Sequence, residues 1–150
     1  MVSDPIYSIY SQLNFHFRVD SYFILYVSNQ ERSQRFYSRV LCREPRLDVP
    51  GMTEFNLPAG GVLGLMPETG IKALLGTNLP DPAKGNGIPR AELYLQVQQP
   101  EVFHARALEA GAMELSPYLP RNWGHSAGYS LDPDGHVLAF ASSGTGASAA

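Results

Sequence analysis

Apolar and polar residues change rhythm several times along this chain, and each change marks an element. From Tyr22 to Val27 six strand-forming residues run unbroken and stop at Ser28-Asn29-Gln30-Glu31. Ser28 and Glu31 stand at capping-box spacing, in which a hydroxyl and a carboxylate satisfy the free amides of a helix start. Phe36, Tyr37, Val40 and Leu41 then recur at helical spacing, which predicts a helix from Glu31 to about Cys42. Pro45 and Pro50-Gly51 break that pattern. Two strands follow, Met52 to Leu57 and Val62 to Met66, joined across Pro58-Ala59-Gly60-Gly61 as a hairpin.

The stretch from Pro67 to Pro89 is rich in Gly and Pro around one apolar knuckle, Ile71-Lys72-Ala73-Leu74-Leu75. A connection this long inside a compact domain reads as a lid, a binding loop or a linker. The opening pattern then returns: a strand from Glu92 to Val97, a helix from Pro100-Glu101 to Gly111, and strands at Met113–Leu119, Ala127–Leu131 and Val137–Ala141. Pro in the first helical turn and Gly just past the last punctuate this second helix at both ends. When the halves are laid over each other, Leu25 and Val27 fall on Leu95 and Val97, and Glu31 on Glu101. The run Pro58-Ala59-Gly60-Gly61-Val62-Leu63-Gly64-Leu65 falls on Pro133-Asp134-Gly135-His136-Val137-Leu138-Ala139-Phe140. Such repetition marks one supersecondary unit used twice.

This gives a single α+β domain over residues 21–142, made of modules 21–67 and 91–142 joined by a loop over 68–90. Residues 1–20, where Leu13, Phe15, Phe17 and Val19 alternate with polar neighbours, read as an arm that covers an edge or a partner subunit. Residues 143–150, small and polar, read as a flexible tail.

Composition narrows the partners. A chain of 150 residues, 44% hydrophobic and 17% charged, has enough apolar material for one sizeable core. Its net charge is -3 and no Lys/Arg cluster occurs, so the footprint of a nucleic-acid or anionic-membrane binder is missing. Cys42 is the only cysteine, which excludes an internal disulfide and suits a reducing compartment; within an amphipathic helix it reads as a small buried hydrophobe. No apolar stretch approaches the ~20 residues of a membrane span, and the start lacks a basic-then-apolar signal. A cytoplasmic protein is expected.

Tyr26-Val27-Ser28-Asn29-Gln30-Glu31-Arg32-Ser33, followed by Phe36-Tyr37 and Val40-Leu41, resembles the opening of the vicinal oxygen chelate superfamily, which holds glyoxalases, extradiol dioxygenases and bleomycin-resistance proteins. Trp123-Gly124, Tyr129 and Asp132-Pro133-Asp134-Gly135-His136 are similar to its closing strands. The resemblance covers Tyr22 to Ala141 and implies two βαβββ modules whose curved mixed sheet surrounds a cleft, often in a homodimer. It does not fix a reaction, because this fold hosts several chemistries.

Strand alternation assigns side chains to the two faces. Phe23, Leu25, Val27, Leu93 and Leu95 form apolar sets expected against the helices. Tyr22, Ile24, Tyr26, Glu92, Tyr94 and Gln96 then face the cleft, with Val62, Gly64, Met66, Val137, Ala139 and Ala141 beside them. The resemblance implies four metal-ligand positions, which map onto Tyr22, Gly64, Glu92 and Ala139. Only Glu92 among them binds a divalent ion well, so no cofactor is expected, and a metal would need an improvised site for which His125 is the candidate. His136 reads as a turn-stabilising residue, and His104 and His16 as solvated or packed ones.

Losing carboxylates at Gly64 and Ala139 is expected to open volume in a cleft walled by Tyr22, Tyr26, Met66, Tyr94 and Trp123. Glu92 and Gln96 supply polarity; a carboxylate there calls for a partner, either Arg121, Arg90 or a cationic ligand. The reading that results is a metal-free protein binding an antibiotic-like or other organic molecule. Two alternatives stay open: a metal-dependent lyase, isomerase or dioxygenase using Glu92 and His125, and a metal-free enzyme with Glu92 as general base and Tyr22 as hydrogen-bond donor.

Overall fold

A computed structural model describes residues 21–58 and 60–144. The arm expected over 1–20, with His16, lies outside the described residues, as does the tail from 145 onward; of the tail expected over 143–150, Ser143 instead ends a strand and Gly144 donates to the Gly124 carbonyl at 2.8 Å. The first module runs β1 (Tyr22–Val27), α1 (Gln30–Leu41), β2 (Leu47–Val49), β3 (Met52–Asn56) and β4 (Val62–Pro67). The second runs β5 (Glu92–Gln96), α3 (Pro100–Glu109), β6 (Met113–Pro120), β7 (His125–Leu131) and β8 (Val137–Ser143). Each folds into its own four-stranded mixed sheet, in the orders β1-β4-β3-β2 and β5-β8-β7-β6. The first and last strands of each module pair in parallel and the others are antiparallel, so the repeat seen in the sequence is a repeat of topology.

Between the modules, the expected loop contains a helix, α2 (Glu68–Leu75), and two short 3-10 turns at Gly76–Asn78 and Pro82–Gly85. The apolar knuckle is therefore helical: Ile71 is buried, while Leu74 and Leu75 stay exposed. Lys72 Nζ closes the end of this helix on the carbonyls of Gly76 and Leu79.

Both modules contribute to one core. Val27, Phe36, Tyr37, Val40 and Leu41 pack in the same cluster as Phe55, Leu63 and Leu65 and, from the second half, Leu93, Leu95, Leu138 and Phe140. Fully burying a side chain of this size stabilises by roughly 1.5–3 kcal/mol. The alternation thus holds for Val27, Leu93 and Leu95, with Leu25 packed at the rim. Phe23 departs from it and is 56% exposed. Cys42 also departs: it caps α1 in the left-handed conformation, with φ of 53°, and is exposed rather than a buried hydrophobe. His104 is packed, its ring against Gly128 and its Nε2 2.8 Å from Glu114 Oε2.

The start of α1 differs from the expected capping box. Asn29, not Ser28, is the N-cap, its side chain accepting from the Arg32 amide at 2.8 Å. Ser28 instead donates from its amide and its hydroxyl to Asp134 of the second module, at 3.0 and 2.6 Å. Among the described residues no helix is long and apolar enough to cross a membrane.

Candidate functional site

The side chains expected in one cleft occupy three places. On the open face of the first sheet, Tyr22 Oη accepts from Arg46 Nη2 at 2.8 Å, and the same guanidinium pairs with Glu54 at 3.0 Å. Met66 shares this face through its register with Tyr26. The space expected beside Gly64 is filled: a Cβ there would lie 3.1 Å from Ile24 Cγ1 and 3.3 Å from Met52 Sδ. Ala139 is likewise fully buried. Neither Gly64 nor Ala139 has open space beside it.

On the face of the second sheet, Tyr94 Oη lies 2.8 Å from His125 Nδ1, and Gln96 Nε2 lies 3.1 Å from His125 Nε2. Trp123 Nε1 donates to Tyr94 Oη at 3.4 Å. Arg121 does not pair with Glu92. Its guanidinium donates to the Ala127 carbonyl and the Ser116 hydroxyl and stacks over Tyr129, 5.1 Å from the ring centroid. Burial, and then the negative charge of Glu92, push the Tyr129 hydroxyl above its ordinary pKa, while Arg121 pulls it back.

The third place is a cavity of about 370 Å³ between the modules. Its walls are Phe23, Ile24, Leu25 and Tyr26 from β1 and Glu92, Leu93, His136 and Val137 from the second module, with Glu68 on one side. Residues between Pro82 and Ala91, Ile88 and Arg90 among them, line it as well. Of the expected site residues, Tyr26 and Glu92 line this cavity, and Ile24 joins them from the same strand face. Glu92 makes no hydrogen bond or ion pair among the described residues. Phe23, Glu68, Ile88 and His136 line it without having been expected to.

One edge of the cavity is built by Asp132-Pro133-Asp134-Gly135-His136, the turn between β7 and β8. Asp132 is buried and its carboxylate takes four donors. Oδ1 accepts from the amides of Asp134 and His136, at 2.9 and 2.8 Å. Oδ2 accepts from Tyr37 Oη at 2.6 Å and from His136 Nδ1 at 2.9 Å. Desolvation would raise this carboxyl, but the His136 hydrogen bond and charge, with Tyr37 and the backbone, outweigh it and hold the pKa below the usual range. His136 mirrors it: desolvation works downward, yet Asp132, Asp134 and Glu68 raise it above its ordinary value. Burial, then the charge of Asp132, push the Tyr37 hydroxyl far up. His136 does stabilise the turn as expected, and it also lines the cavity. Its spacing of four residues from Asp132 was the signal available in the sequence.

The four positions mapped for metal ligands do not fit a divalent ion. Gly64 and Ala139 carry no donor, Tyr22 is engaged by Arg46, and Glu92 is left alone. Among the described residues no three His, Cys, Asp or Glu side chains are grouped so as to hold one. His125 meets Tyr94 and Gln96 rather than Glu92.

Two βαβββ modules, each with its first and last strands paired in parallel, form a fold that the chain shares with solved structures described as glyoxalase-related or as glyoxalase/bleomycin resistance/dioxygenase proteins. A glyoxalase-related enzyme from Fulvimarina pelagi superposes with a TM-score of 0.68 at 23% identity, over 83% of this chain and 87% of that one. A glyoxalase/bleomycin resistance protein/dioxygenase from Nocardioides gives 0.65 at 20% identity, over 95% and 94%. A family enzyme of the same description from Burkholderia phytofirmans PsJN gives 0.65 at 15%, over 83% and 99%. No family model and no curated protein matches the sequence.

Proposed function

We propose that the protein binds a small organic molecule, antibiotic-like in kind, in the cavity between its two modules and without a metal. The observation that carries this is the cavity itself: about 370 Å³, walled by Phe23, Ile24, Tyr26 and Ile88, with the unpaired carboxylate of Glu92 at its side. Aromatic and aliphatic walls with few polar anchors suit an organic ligand. An amine on that ligand would supply the charge partner that Glu92 lacks. Structural neighbours described as glyoxalase/bleomycin resistance proteins are consistent with binding of such a molecule. In this reading the chain works in the cytoplasm as a homodimer. Support for the dimer comes from exposed apolar side chains outside the cavity, Tyr22 and Val49 on the first sheet, Leu119 on the second, and Trp123 in the turn beside it.

Isothermal titration of the metal-stripped full chain against basic, aromatic natural products tests the reading. Binding is expected, with affinity falling on Tyr26→Ala and on Glu92→Gln. Silence across the panel would overturn it. Elemental analysis is the companion measurement: one tightly held Ni, Zn, Mn or Fe per chain would favour a metal-dependent enzyme instead.

A further inference from the structure

We infer that His136 is the proton-accepting anchor of the cavity, and that the ligand it receives carries a weakly acidic hydroxyl of phenol or enol type. This rests on the cavity being a ligand site, and it adds the chemistry of one end of the ligand. The geometry begins with Asp132. A carboxylate already accepting from Tyr37 and two backbone amides can only accept from the imidazole as well, so His136 Nδ1 carries the hydrogen. Nε2 is then the nitrogen with the lone pair. It has no hydrogen-bond partner among the described residues, and His136, its side chain 27% exposed, is one of the residues that line the cavity. A buried Asp behind a His fixes tautomer and orientation and stabilises the imidazolium once it forms.

The charges around the ring favour that step. Asp132, Asp134 and Glu68 face it, and Arg32 offsets part of Asp134 through a 3.3 Å ion pair. These carboxylates make His136 a stronger base than a free imidazole. Arg90 and Glu92 complete the charged lining. In the proposed step the ligand O–H bond breaks and Nε2–H forms; the electron pair stays on oxygen, leaving a phenolate or enolate beside the imidazolium. The ring of such a ligand would lie against Tyr26 and Ile24.

The test uses para-nitrophenol, whose phenolate absorbs in the visible, and para-nitroanisole, which has a similar shape but no acidic proton. With the metal-stripped full chain at a pH where the free protein's Nε2 gives the lone-pair signal and the free probe is still partly phenol, the phenolate band should grow on binding. Para-nitroanisole should bind about tenfold more weakly, the loss expected for one charge-assisted hydrogen bond. His136→Gln should abolish the growth in the band. Long-range proton–nitrogen NMR on the unaltered protein should move His136 Nε2 from the lone-pair to the protonated type, a readout that survives if that variant does not fold. Glu68→Gln, a partly exposed change that breaks no hydrogen bond, should shrink the band by making His136 less basic. Equal binding of the two probes, an unchanged band in folded His136→Gln or an unmoved Nε2 would overturn the inference. Failure of both probes would overturn it too, whereas the cavity falls as a ligand site only if the basic panel is silent as well.

Discussion

Tyr37→Phe removes one oxygen and leaves the rest of the core in place. The tyrosine is 1% exposed and packs edge-on against Phe36, with ring centroids 5.0 Å apart, and phenylalanine can keep that contact. What goes is the 2.6 Å donation to Asp132, whose side chain is fully buried. A hydrogen bond to a charged acceptor is worth ~1.5–3 kcal/mol, and the carboxylate retains three donors, so a loss of about 2 kcal/mol is expected. In a chain of 150 residues that corresponds to roughly 6 °C in Tm. Urea unfolding followed by far-ultraviolet circular dichroism measures it directly, as a lower midpoint at unchanged slope. Repeating the change in an Asp132→Asn background should about halve the cost, because charge-assisted bonds are roughly twice as strong as neutral ones. A loss below about 0.5 kcal/mol, or the same loss in both backgrounds, would refute the view that Asp132 is an ionised hub held by Tyr37.

The same hub sets a pH window. Asp132 lies below its ordinary 3.8, so its contribution is present above that value and lost as pH falls through the folded pKa; His136 lies above its ordinary 6.5, so its contribution is complete below 6.5 and lost as pH rises through the folded pKa. Thermal melts should show this pair at full strength between those two values, and His136→Gln should remove the alkaline decline. Gly128→Ala should destabilise by ~1–3 kcal/mol, since its Cβ would lie 2.9 Å from His104 Nδ1 on a ring backed by the core; chemical denaturation checks it. Gly135→Ala should both destabilise and speed backbone exchange around Gly87, because Gly135 has φ of +87° and a Cβ would meet the Gly87 carbonyl at 2.7 Å; hydrogen exchange checks it.

Most of the fold was legible where local signals agree. β1 and α1 announce themselves through an unbroken strand run and a helical stripe, and Pro100 with Gly111 bracket the second module's helix. β2 was not legible, because Leu47–Val49 is three exposed residues between two prolines and gains its identity only by pairing with β3. α2 was hidden by Gly70 and by a start at Pro67 with no side-chain cap. The site was half legible. Alternation places Val27, Leu93 and Leu95 in the core but not Phe23, and it says nothing about how two sheets sit together, so residues read as one cleft are spread over two sheet faces and a cavity. Phe23 shows the limit: at the mouth of β1, beside the cavity, its parity points to a helix side that offers it little cover.

The bonds from Asp134 to Ser28, Arg32 and Ser33 join the start of one repeat's helix to the final turn of the other, 106 residues apart at their widest. On a ribosome adding about 5–20 residues per second, the first helix therefore emerges roughly 5–20 s before the aspartate that completes it. Through that interval the leading repeat can pack its helix on its own sheet but lacks Leu93, Leu95, Leu138 and Phe140, which complete the shared core.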